Sequence, residues 1–134
     1  MAAAANSNPS ATEALERLRA IAAQLPEITE RVSHGAPTLF IRGKRVLAHL
    51  FDDHHGSGDL AIWCPAAPGV QAELVDQEPD RFFVPPYVGH KGWIGVRLDV
   101  EPDWDEVATM LEDAFRLVAP KTLVKQLDQD ASGD

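Results

Sequence analysis

The sequence predicts an α+β domain, an antiparallel sheet of about five strands with helices packed on one face. Three observations carry that expectation. Two β-rich runs, 38–42 and 45–52, flank a Gly43-Lys44 turn, which is hairpin spacing and hence antiparallel pairing. From 93 to 100 the residues alternate. Ile94, Val96, Leu98 and Val100 point one way, and Trp93, Gly95, Arg97 and Asp99 the other, as on a sheet with unlike faces. Helical periodicity is confined to both ends of the chain and one short internal stretch. The order is therefore α-β-β-β-α-β-β-α, not an alternation of strand and helix.

Each element has a local cause. Ser10-Ala11-Thr12-Glu13 matches a capping box, with Ser10 as N-cap and Glu13 reaching back. Leu15, Leu18, Ile21 with Ala22, and Leu25 then recur at helical spacing. Pro26 ends that helix, because the residue before a proline avoids the α region. Residues 27–37 read as a connector with one short turn at 27–32, and Gly35-Ala36-Pro37 as turn chemistry. The run Asp52-Asp53-His54-His55-Gly56-Ser57-Gly58-Asp59 is too polar and glycine-rich for a strand and is a loop. Residues 60–64 form the third strand, stopped by Pro65 and Pro68. Residues 70–78 form a short helix with Val70 and Leu74 inward, ended by Pro79. Residues 81–84 and 93–100 are the last two strands, joined by a tight loop at Gly89-His90-Lys91-Gly92. Asp103 caps the longest helix, with Glu106 three residues on. Its inward stripe is Trp104, Val107, Leu111, Ala114 or Phe115, and Val118. Pro120 breaks it, and one or two further turns reach Leu127.

These elements define a single domain over 10–127, with a disordered leader at 1–9 and a disordered acidic tail at 128–134. A chain of 134 residues buries a core without covalent staples. No apolar run approaches the ~20 residues of a membrane span, and residues 1–12 hold neither a basic residue nor an apolar stretch, unlike a signal peptide. The lone Cys64 excludes an internal disulfide and a multi-cysteine zinc site, and reads as a buried apolar residue. A cytoplasmic location is the default expectation. The net charge is −9, with Asp128, Asp130 and Asp134 supplying part of it. A duplex-binding domain usually shows a basic footprint, so any nucleic-acid site here must be local.

Several motifs occur in order: Leu25-Pro26-Glu27 with Glu30-Arg31, then Ser33-His34-Gly35-Ala36-Pro37-Thr38-Leu39-Phe40, then Lys91-Gly92-Trp93-Ile94-Gly95-Val96-Arg97-Leu98, then Phe115 to Lys121. Together they resemble the MmcQ/YjbR family over roughly residues 13–127. The resemblance implies a frataxin-like (CyaY-like) fold. It also implies DNA binding, through likeness to a "double-wing" architecture, and brings no catalytic residues with it. Frataxin relatives bind iron through an acidic ridge. The first helix here mixes Glu13 and Glu16 with Arg17 and Arg19, and so departs from that pattern.

Four groups of residues are candidates for chemistry. Two basic turns, Arg42, Lys44 and Arg45 at one and His90 and Lys91 at the other, have the character of wings that contact phosphates. About four charges, with Arg97 nearby, fall short of the roughly 6–10 contacts of firm binders, so such binding is weak and salt-sensitive. The structural alternative is that charged tips discourage edge pairing. The open sheet face is the second candidate. Trp63 lies opposite to Leu60, Ile62 and Cys64, while Leu47, His49 and Phe51 share one side of their strand. Trp63 and Trp93 beside Arg97, with Tyr87, suit stacking on bases or packing on a partner protein; alternatively both indoles pack under a loop. The third group is Asp52, Asp53, His54 and His55 with Asp59. Adjacent loop residues rarely converge on one ion without a rigid surrounding shell, so no metal is expected. For catalysis, Ser33-His34 and the pair Tyr87 and His90 stand alone, with no phosphate loop, nucleophile elbow or HExxH motif. The expectation is a non-enzymatic domain without cofactor that binds DNA weakly through its hairpin tips and sheet face. The alternative is a protein-interaction module using the aromatic face with no nucleic-acid role. No membrane partner is expected, and monomer and homodimer are both compatible with the sequence.

Overall fold

The capping box sets the start of the fold. Ser10 Oγ accepts the Glu13 N–H at 3.1 Å, and the Glu13 carboxylate accepts the Ser10 N–H at 2.9 Å. Helix α1 then runs Ala11–Ala22 in the computed structural model, which describes residues 9–52 and 60–132. Four strands follow, β1 (Ile28–Ser33), β2 (Ala36–Ile41), β3 (Arg45–Asp52) and β4 (Leu60–Cys64). After them come helix α2 (Val70–Gln77) and strands β5 (Phe82–Phe83) and β6 (Ile94–Arg97). Helices α3 (Trp104–Val118) and α4 (Lys121–Ser132) close the chain. The strands form one six-stranded sheet in the order β1-β2-β3-β4-β6-β5, antiparallel at every pairing. The α+β class with helices against an antiparallel sheet is therefore as expected.

The sixth strand is β1, where the sequence reading placed a connector. It pairs with β2 from Ile28↔Ile41 to Ser33↔Ala36. His34 and Gly35, at φ 54° and 77°, supply the two left-handed residues of a primed two-residue hairpin turn. As an edge strand its middle four residues are exposed, so no apolar alternation marks it. Pro37 sits inside β2 without cost, since the ladder to β3 begins only at Thr38↔His49. The next turn is centred one residue earlier than expected, on Arg42 (φ 54°) and Gly43 (φ 69°), with Lys44 N–H donating to Ile41 O at 3.0 Å.

A β-bulge corrects another expectation. Leu39 faces Ala48, but Phe40 faces Val46, so Leu47 is an extra residue. Leu47 and Ala48 both enter the helix-side core, while His49 and Phe51 take the other face. Leu47 therefore does not share a side with His49 and Phe51. The link between the last two strands is not a tight loop either. It spans 84–93 and contains Pro85, Pro86 and a 3-10 turn at Gly89–Lys91. Helix α4 continues through Ser132, beyond the expected end near Leu127, and Arg116 of α3 holds Asp128 at 2.8 Å.

The main core lies between the sheet and the helices. Leu18 of α1, Ile62 of β4, Val96 of β6, Leu111 and Phe115 of α3 and Leu123 of α4 are all buried there. Asp103 accepts the Asp105 and Glu106 N–H groups at 3.0 and 3.2 Å, which starts α3 with its apolar stripe inward. Cys64 belongs to the same core, and burial pushes its thiol up to about 12, so it is an unreactive packing residue.

One glycine in β6 has a steric cause. Gly95 pairs with Phe83, whose ring lies across it, and a Cβ at Gly95 would fall 2.3 Å from Phe83 Cζ. Gly95→Ala is expected to lower the unfolding free energy by about 2 kcal/mol, the cost of overpacking a filled site. A urea midpoint equal to that of the wild type would show that Phe83 swings clear without cost.

Candidate functional site

On the helix-free side, the strand register aligns one row of residues across all six strands: Arg31, Thr38, His49, Trp63, Gly95 and Phe83. Beside it lie Phe51, Ala61 and Arg97. Trp63, Trp93 and Arg97 thus do share a face with His49 and Phe51, as the alternation implies. That face packs on itself. Ala36, Phe51 and Trp63 form a small second core, against which Phe83, Val88 and Trp93 pack. The Phe51 and Trp63 rings are 4.1 Å apart, His49 stacks on Trp93 at 6.0 Å, and Trp63 is only 6% exposed. The 84–93 connection supplies Val88 and Trp93, so the indoles pack under a loop. Arg97 lies over Phe83 at 5.2 Å.

Thr38 and His49 form a polar pair within this face that sequence reasoning missed. Thr38 Oγ1 and His49 Nδ1 are 2.8 Å apart, and the Thr38 hydroxyl also lies 3.0 Å from Ala36 O. A hydroxyl has one proton. When Thr38 donates to Ala36 O, Nδ1 carries the imidazole hydrogen and donates to Thr38. The His34 ring approaches His49 edge-on at 6.1 Å. Burial, and after it the charge of His34, pushes His49 down to about 4 from its ordinary 6.5. The cross-strand pair Thr38↔His49 was the hidden signal, since only the β2–β3 register brings the two together.

The basic turns meet at one end of the sheet. Strands β3 and β6 run in the same direction with β4 antiparallel between them, so the chain enters both from the same end. At that end lie the Arg42-Gly43 turn and the 84–93 connection, on strands two inter-strand spacings, or roughly 10 Å, apart. Lys44, Arg45, His90 and Lys91 are exposed and take part in no ion pair among the described residues. Arg42 differs, because its guanidinium is held by Glu27 with Nε 3.1 Å from Oε1. Arg31, which the sequence did not single out, donates from Nη1 to Gly43 O at 3.2 Å and lies 3.7 Å over the Phe40 ring. Tyr87 is on the same connection as His90 and Lys91. Arg97 is not with them, since it occupies the far end of β6.

Charge of the other sign gathers at that far end. Asp52 ends β3, and Asp99 and Glu101 follow β6. A cleft of about 480 Å³ there, between α1 and the β1–β2 turn, is lined by Thr12, His34 and Asp52 among others and contains no cation of the Lys/Arg type. Asp53, His54, His55 and Asp59 lie outside the described residues. Among the described residues no group of three or more His, Cys, Asp or Glu is placed to hold a metal ion. No helix among them is long and apolar enough to cross a membrane.

His49 gives this face a pH dependence whose sign is fixed. The unfolded imidazole takes a proton near 6.5 and the folded one only near 4. Stability is therefore full above about pH 6.5 and falls as pH drops through that window, by about 2 kcal/mol near pH 5. His49→Gln is expected to flatten the loss of unfolding free energy between pH 7 and 5, measured by urea denaturation. Parallel losses in variant and wild type would mean that His49 protonates as readily in the fold as outside it.

Comparison with known proteins gives a consistent placement. The family model named YjbR matches residues 23–117. No curated protein matches the chain. Among solved structures, the Deinococcus radiodurans protein DR2400, described as a DUF419 domain, is similar at a TM-score of 0.67 and 20% identity. The match covers 85% of this chain and 87% of that one. At that identity the likeness concerns the fold. The motifs from Leu25 to Phe40 and from Lys91 to Leu98 lie within the matched span, and the chain belongs to the YjbR family.

Proposed function

We propose that this YjbR domain is a non-enzymatic, cytoplasmic module that binds DNA weakly through the end of its sheet where the two basic connections meet. The observation that carries this reading is the shared placement of Lys44 and Arg45 with His90 and Lys91, exposed at one end and without ion pairs among the described residues. Asp52, Asp99 and Glu101 lie at the opposite end, away from these cations, so a local polyanion site is compatible with a net charge of −9. The rival reading, a protein-interaction module using the aromatic sheet face, has less support, because Trp63 is spent on internal packing.

About three phosphate contacts, from Lys44, Arg45 and Lys91, give a salt slope of roughly −2.7 on logarithmic axes, a loss of roughly 40-fold in affinity between 50 and 200 mM salt. Fluorescence anisotropy with labelled duplex DNA, stepped in salt, is expected to show that slope, and Lys44→Glu with Lys91→Glu to abolish binding. Absence of binding at low salt, or binding unchanged in the double variant, sinks the proposal.

A further inference from the structure

His49 is only 8% exposed, yet one of its two ring nitrogens is left over. Nδ1 is taken by Thr38 Oγ1 at 2.8 Å, and the Thr38 hydroxyl lies 3.0 Å from Ala36 O. With the Thr38 proton on that carbonyl, Nδ1 carries the ring hydrogen and Nε2 keeps a bare lone pair. No hydrogen bond reaches Nε2 among the described residues. A polar atom of a buried side chain that goes unpaired calls for a use.

The ring is fixed in place. It stacks on Trp93 at 6.0 Å with the planes 30° apart, lies 5.4 Å from the Phe51 ring, and is oriented at Nδ1 through Thr38. A second imidazole stands beside it. His34, exposed on the β1–β2 turn, has its ring centroid 6.1 Å from that of His49. Two imidazoles that share one ion at Zn–N distances of roughly 2.0–2.1 Å have centroids roughly 5–6.5 Å apart. A rotation of the exposed His34 side chain is thus enough to bring both onto one ion. The cleft of about 480 Å³ at this end is lined by His34, Ala36 and Phe51, all neighbours of His49, which gives an ion a way in from solvent. No lysine or arginine lines that cleft to repel a cation.

We infer that His34 and His49 form a two-imidazole site for a divalent transition-metal ion of the zinc class, with water in its remaining positions. Imidazole suits zinc, copper and nickel, whereas calcium and magnesium take oxygen ligands. Thr38 is then a positioning residue. A ligating histidine nearly always donates its other ring N–H to a fixed acceptor, which sets its tautomer and direction, and here Thr38 passes that bond on to a backbone carbonyl. The bound ion ties the β1–β2 turn to the face of β3. The site is independent of the basic end, since the β1–β2 turn and the Arg42-Gly43 turn lie at opposite ends of β2.

The test titrates untagged protein with Zn²⁺ alone, reading affinity by calorimetry and folding by thermal melting. The wild type is expected to take up one ion and to melt at a higher temperature with it, as for any ligand of the folded state only. Ni²⁺ in place of Zn²⁺ is expected to quench tryptophan fluorescence, because Trp93 stacks on His49. Thr38→Val is expected to weaken Zn²⁺ by roughly 10- to 100-fold. His34→Asn, which keeps the left-handed turn, is expected to lose more affinity than that while melting like the wild type without metal. It carries the comparison if Thr38→Val folds poorly. The double variant His54→Gln with His55→Gln is expected to bind like the wild type. No uptake of Zn²⁺ by the wild type, full affinity in His34→Asn, or loss of binding in the His54 and His55 variant overturns the site.

Discussion

The bulge at Leu47 is the constraint on which the two-faced sheet depends. Side chains in a strand alternate with a period of two, so one inserted residue reverses the facing of everything beyond it. Counting from Arg45, alternation brings Leu47 to the helix side, and the bulge repeats that side at Ala48. His49 and Phe51 then fall on the opposite face while Leu50 returns to the main core. Without the extra residue, either the Arg42-Gly43 hairpin or the His49–Phe51 half of β3 would be wrongly faced. The basic end and the aromatic face are set by the same insertion.

Much of this arrangement is legible in the sequence because its causes are local. The Ser10/Glu13 capping box, the Asp103 cap and the stripe of Val107 and Leu111 need only residues a few positions apart, and all have the expected geometry. Strands β3 and β4 have the expected bounds. The unread parts depend on partners distant in sequence. Strand β1 shows no apolar alternation since one edge of it faces solvent, and its only local mark is His34-Gly35 at a primed turn. The bulge leaves no signature in composition. The closure of Trp63 under Val88 and Trp93 depends on β4 pairing with β6 and not with the β5 that precedes it in the chain. The same long-range pairing brings Lys44 and Lys91 to one end and sends Arg97 to the other.

Total charge is a poor guide to such a surface. Exposed charges separated by more than about 8–10 Å are largely screened at physiological salt. A polyanion approaching the Arg42-Gly43 hairpin therefore meets Lys44 and Arg45, with Glu27 beside Arg42, while charges at the far end of the sheet are screened. Glu27 is itself spent on Arg42, and Arg31 is fixed by Gly43 O and the Phe40 ring. Rigid cations at the hairpin and exposed ones beside it make a small site, not a basic surface. On the proposed reading, a site of that size binds at the weak end of the scale.

The left-handed residues differ in what holds them. Five non-glycine residues among those described have positive φ: Glu27, His34, Arg42, Tyr87 and Glu101. His34 and Arg42 occupy primed hairpin turns, where that conformation matches the twist of the flanking strands and is part of making the sheet. Glu27 takes the Arg42 N–H at 2.9 Å on its carbonyl and the guanidinium on its carboxylate, so its conformation extends the same ladder. Tyr87 belongs to no such two-residue hairpin. The chain around it is already reversed by the 3-10 turn and by Gly92 at φ 85°, and a γ-turn there, with the Val88 N–H on Pro86 O, adds strain without adding a strand pair. Gln71, bonded to Gly89 O and Trp93 O, and the tight packing at Gly89 hold the connection that carries it.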